Sequence, residues 1–159
     1  NRDCSLRLKE RLRTSCSILV HIGGARMSFE VGQELAPEIF NVSRALLIGY
    51  ANASGDHNPI HQNEEFAKSV GLENVIAHGM FTMALAGRYV SNVAGGSERV
   101  LELSSKFIKP VVVPAGVDVQ LVISAKVSSV EEGLVRLDIT AMCGEVKVLG
   151  MAKAAFATL

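Results

Sequence analysis

Three stretches in the second half of the chain alternate apolar and polar residues with a period of two. Leu101, Leu103, Ser105 and Phe107 alternate with Glu102, Ser104 and Lys106. Val117, Val119, Leu121, Ile123, Ala125 and Val127 alternate with Asp118, Gln120, Ser124 and Lys126. Val135, Leu137, Ile139 and Ala141 alternate with Arg136, Asp138 and Thr140, and a last apolar run covers residues 146–157. Alternation of this kind marks antiparallel strands with one buried face. Glu131-Glu132-Gly133 and Cys143-Gly144-Glu145 supply the two hairpin turns, and Pro110 and Pro114 break the chain between the first two strands.

The first half is patterned differently. Residues 29–35 alternate briefly and predict a short edge strand ending before Pro37. Residues 41–44 offer helix caps and residues 45–51 a helix. Asn63 caps a shorter one over 64–68 that stops at Gly71. Residues 81–90 are apolar on nearly every side except at Thr82 and Arg88, and Gly95-Gly96 ends them. A helix apolar all round is a buried one, so something must wrap it. The pattern therefore predicts an α+β fold, a curved antiparallel sheet rolled around one central helix. Exposed sheet edges predict that two copies pair edge to edge as a homodimer.

Composition narrows the function classes. The chain has 159 residues, 48% of them hydrophobic, and no formal net charge, which fits one globular domain with a proper core. The neutral balance argues against nucleic acid or an anionic membrane as partner, and no apolar run is long enough to span a bilayer. Cys4, Cys16 and Cys143 are an odd number without C-x-x-C spacing. They predict reduced thiols in a cytoplasmic protein rather than a disulfide framework or zinc ribbon. Residues 1–26 are basic, with Arg2, Arg7, Lys9, Arg11, Arg13 and Arg26 against Asp3 and Glu10. They read as an extension outside a domain spanning 27–159, a composition that also suits a mitochondrial address.

The scarcest residues gather in Ser54-Gly55-Asp56-His57-Asn58-Pro59-Ile60-His61, which holds two of the four histidines. Pro59 lacks an N–H and turns Asn58 away from helical geometry, so the segment is a bent loop. A bend can bring the carboxylate of Asp56, which looks buried, to the imidazole of His61, a pairing suited to moving protons near neutral pH. The plainer reading is an Asx turn, with Asp56 and Asn58 bonding nearby backbone and His61 solvated.

This string, followed by Ile76-Ala77-His78-Gly79-Met80, resembles the MaoC-type (R)-specific enoyl-thioester hydratases and (3R)-hydroxyacyl-thioester dehydratases of the hotdog fold. The resemblance runs from about Phe29 to Leu159, and Phe107-Ile108-Lys109-Pro110 shares the look of the actinobacterial members. It implies that Asp56 and His61 are catalytic and that the backbone N–H of Gly79 is the oxyanion donor. Asn58, His78 and Ser54 fall in supporting places, His78 more as a structural than a catalytic residue, while His57 faces solvent. The implied substrate is an acyl thioester of coenzyme A or acyl carrier protein, with no cofactor. A zinc site from Asp56, His57, His61 and His78 is set aside, because Pro59 spoils the spacing that helical ligands need. Some members carry a serine eight positions after the oxyanion glycine, where this chain has Gly87. That difference points to a dispensable serine or to passage of a longer acyl chain. Other functions within the same fold are thioester hydrolysis or one subunit of a hetero-oligomeric dehydratase.

Overall fold

The computed structural model describes residues 18–22 and 25–158, with side chains from Ser28 onward. Strands β1 (Ile18–Ile22) and β2 (Ala25–Phe29) form an antiparallel pair apart from the main sheet. The boundary expected after residue 26 falls within β2, and residues 1–17 of the basic extension lie outside the described residues.

The main sheet joins β3 (Glu34–Val42), β4 (Val100–Phe107), β5 (Val119–Glu131), β6 (Leu134–Cys143), β7 (Val146–Lys147) and β8 (Leu149–Ala157). Its order is β3-β5-β6-β8-β4, with β7 added on β6, and every pairing is antiparallel. In β5 and β6 the alternation translates directly into burial, whereas in β4, which two register shifts interrupt, Leu101 and Phe107 are exposed against expectation, as is Val117 before β5. Leu121, Ile123, Ala125 and Val127 of β5 and Val135, Leu137, Ile139 and Ala141 of β6 are in the core, while Lys126, Arg136 and Asp138 between them are exposed.

β3 departs from expectation. The strand expected over 29–35 is divided by a turn at 31–32, with Phe29 ending β2, and β3 begins at Glu34 and runs through Pro37 rather than ending before it, with a register shift between Leu35 and Glu38. A proline is tolerated because β3 is an edge strand and a bulge absorbs the missing N–H. The hydroxyl of Tyr89 donates to the Ala36 carbonyl at 3.0 Å, inside that bulge.

Between β3 and β4 the chain forms α1 (Arg44–Ser54), α2 (Glu64–Ser69) and the long α3 (Gly79–Ala94). Ser43 caps α1 by accepting from Leu46 N at 3.2 Å, and Asn63 caps α2 by accepting from Phe66 N at 2.9 Å. On α3, Thr82, Ala86, Tyr89, Val90 and Ala94 are buried, a single stripe at helical spacing. Met80 on the other face is 57% exposed, and Ala84 and Arg88 beside it are also exposed. The all-round burial expected of this helix is thus not met within one chain, because one sheet covers one face only.

A polar clamp fixes the segment that leads into α3. Arg44 donates from Nε to the Val113 carbonyl at 3.1 Å and from Nη2 to Glu64 at 2.6 Å and to Asn74 Oδ1. Val113 N donates to Val75 O and Ala77 N to Val111 O, each at 2.8 Å. The approach to Gly79 is therefore stitched to the strap that follows β4.

Candidate active site

The loop after α1 is built from short-range bonds. Gly55, at a φ of 77°, turns the chain off the helix. Ser54 Oγ donates to Tyr50 O at 2.8 Å and accepts from Asp56 N at 3.3 Å. Asp56 Oδ1 accepts from Asn58 N, and Asn58 Oδ1 from Ile60 N, both at 3.2 Å. Pro59 opens a single 3-10 turn, Pro59–His61. The Asx-turn reading and the acid–base reading of this loop thus hold together: the turn is the device that aims His61. Ser54, His57 and Asn58 are exposed. So is Asp56, against the enclosure expected of it, because the loop forms a rim that a single chain does not cover.

His61, by contrast, is only 8% exposed. Its Nδ1 lies 2.8 Å from the Ile76 carbonyl oxygen. A carbonyl can only accept, so Nδ1 carries the proton and Nε2 keeps its lone pair. Burial pushes the pKa of His61 below the ordinary 6.5, and the neighbouring His78 adds to this against the opposing pull of the Ile76 carbonyl and Asp56. The imidazole is neutral at neutral pH, the form a base requires.

His78 lies closer to this chemistry than its structural assignment suggested. It is 1% exposed, its Nε2–H donates to the Asp56 carbonyl at 3.0 Å, and its ring stacks on His61. The centroids are 3.7 Å apart with 27° between planes, and Tyr50 leans on the His78 ring at 4.9 Å. Ligand atoms of Asp56, His61 and His78 all lie within 4.8 Å of one another. Carboxylate and imidazole do converge, as the bent loop required. The three donors are near enough for one ion, yet ring lone pairs lie in the ring planes. Two nearly parallel planes do not aim at a common point, which disfavours one ion held by both rings.

Gly79 opens α3, so its N–H has no acceptor within the helix, and it sits at the positive end of the dipole. It shares a cleft of about 320 Å³ with His61, Ile76, Thr82, Phe107 and Lys109. A Cβ on Gly79 would stand 3.3 Å from the Phe107 ring. The glycine therefore lets an aromatic wall approach the helix end, a reason the sequence did not disclose. Phe107 was legible as an alternating position of β4 and as part of a string with the family's look, but not as a wall of the site. A Cβ on Gly87 would meet the Leu103 side chain at 3.2 Å. A serine here would require the Leu103 side chain to shift by a few tenths of an ångström, so the glycine lets β4 pack close against α3.

The sheet wrapped on one face of α3, with a histidine-bearing loop at that helix's first residue, defines the hotdog architecture of thioester hydratases and dehydratases. The chain belongs to the MaoC like domain family, which it matches over residues 27–142. A MaoC-like dehydratase superposes with a TM-score of 0.80 at 32% identity, over 82% of this chain and 41% of that one. R-Hydratase PhaJ1 from Pseudomonas aeruginosa gives 0.71 at 25% identity, over 82% of each chain. In sequence, 3-hydroxyacyl-thioester dehydratase X of Mycobacterium tuberculosis is 40% identical over 77 residues, 48% of this chain and 26% of that protein. The chain thus spans about a quarter of the length of this curated relative.

Proposed function

We propose that this chain catalyses the reversible hydration of a trans-2-enoyl thioester to its (3R)-3-hydroxyacyl form. The observation that carries the reading is the single cleft shared by the buried, neutral His61 and the first N–H of α3. In the hydration direction, His61 Nε2 takes a proton from a water held with Asp56. The hydroxide oxygen bonds to C3, the C2–C3 double bond yields its electrons to C2, and the proton taken up by His61 is passed by way of Asp56 to C2, which leaves both side chains as they began. Negative charge gathers on the thioester oxygen as C3 is attacked, and the Gly79 N–H is a fixed donor for it. Dehydration is the same path reversed, without a cofactor.

The carrier is coenzyme A or acyl carrier protein, with Lys109 at the cleft and Lys106 near it as cations for a phosphate. Two copies pair along β4. The β3 edge is blunted by Pro37, its bulge, Glu34 and Glu38, whereas β4 leaves Leu101 64% and Phe107 48% exposed. That pairing also supplies a cover for the exposed rim at Asp56. A reducing, cytoplasmic setting belongs to the same proposal. Turnover of crotonyl-CoA, followed as loss of the enoyl absorbance beside a free-thiol assay, tests the reaction. Hydration without thiol release supports it; thiol release without hydration makes the protein a thioesterase.

A further inference from the structure

We propose that His78 is a positioning residue that locks the Asp56 loop and the His61 ring to the first turn of α3. The water-handling side and the carbonyl-handling side of the cleft then move as one body. The inference rests on the proposed hydration and adds a component to it.

Three observations converge on this residue. First, His78 is the N-cap of α3, yet its side chain makes no capping bond. Caps are usually Ser, Thr, Asp or Asn, whose oxygen engages the first N–H groups. Here the side chain reaches the other way, to the Asp56 carbonyl at 3.0 Å, and the opening N–H groups of the helix stay free for a ligand. Second, the residue is anchored through its own backbone, since Thr82 N donates to the His78 carbonyl at 3.1 Å. One residue thus holds the helix with its main chain and the loop with its ring. Third, the ring lies 3.7 Å from that of His61, and its Nδ1 is buried without a protein partner.

Two stacked imidazoles at this distance cannot both be charged without strong repulsion. The other ionisable groups facing the pair are Asp56 from the loop, Tyr50 from α1 and Lys109 from the strap after β4. From β8, Leu149 at the cleft is apolar. A proton on either ring therefore disfavours one on the other, which adds to the effect of burial in holding the pKa of His61 below 6.5.

The test compares His78→Phe, which keeps the stacked ring and loses the N–H donor, with His78→Gln, which keeps a donor near Nε2 and loses the titrating ring. Imidazole NMR titration of the substrate-free full chain is read beside the pH profile of crotonyl-CoA hydration. The Phe variant is expected to lose between about tenfold and a hundredfold in kcat with little change in KM, as misplacement of catalytic groups does. The Gln variant is expected to recover most of that loss while its His61 resonance titrates at higher pH than in the parent protein. Equal kcat in the two variants, with an unmoved His61 titration, would overturn the proposal. The parent protein alone also decides it: an Nε2-protonated His78 whose titration is coupled to that of His61 supports the lock, and independent titration of the two rings refutes it. A chain that shows this coupling without hydrating crotonyl-CoA would reject the reaction and keep the lock.

Discussion

The sheet and the connection from Ser54 to Gly79 are held by different physics. β5, β6 and β8 share a continuous apolar core in which Leu121, Leu137 and Phe156 are wholly buried. Any one of them is supported by many neighbours, and the pattern that specifies them repeats along the strand. The connection is anchored in the core through Val75 and Ala77, but the groups that carry the site depend on single polar ties: Arg44 to Glu64 and Asn74, Asn58 to Ile60, His61 to Ile76, His78 to Asp56. Redundancy protects the fold, and the lack of it makes the site both adjustable and easy to break. Changes in the sheet should cost stability first, and changes in the connection should cost activity first.

The most severe test of that contrast is His61→Ala. Hydration of crotonyl-CoA should fall by at least about a hundredfold, as for loss of a general base, with an unchanged circular dichroism spectrum. Near-normal turnover would reject the assigned role. Leu137→Ala should do the opposite, removing about 3 kcal/mol of stability in urea unfolding while turnover per folded molecule stays close to normal. Arg44→Met sits between the two regions and should lose roughly 2 kcal/mol, with activity falling alongside because the clamp also positions the approach to Gly79. Asn58→Ala should cost about 1 kcal/mol through loss of the cap on the 3-10 turn, read as a lower Tm. The mildest probe is pH. A histidine whose folded pKa lies below 6.5 contributes stability that is complete above 6.5 and is lost as pH falls from there through the folded value. Denaturant midpoints should therefore decline on acidification through that window in the parent protein and decline less in His61→Ala.

The same contrast explains what was legible in the sequence. Period-two alternation gave β5 and β6 nearly residue by residue, because half-buried strands write their burial into every second position. The Asp56 loop was legible through Pro59 and its Asx residues, since local bonds determine its shape. Pro37 misled, because a bulge on an edge strand depends on partners far along the chain, here Ala125 and Ile123 on β5 and Tyr89 on α3. α3 misled differently: its composition says that both faces are apolar, and nothing local says that one chain covers only one of them. The role of Phe107 against Gly79, and of Leu103 against Gly87, arises from packing between β4 and α3. No spacing rule reports such contacts.

The unassisted opening turn of α3 has a consequence for anyone seeking a more heat-resistant variant. Replacing the residue before Gly79 with serine or aspartate is the standard way to firm up such a helix end, and it ordinarily raises stability by about 1 kcal/mol. In this protein the new oxygen would compete for the very amide groups left open toward the cleft, and a carboxylate there would repel charge building on an incoming carbonyl. Thermal hardening at this helix end and turnover are set against each other by the geometry of a single residue.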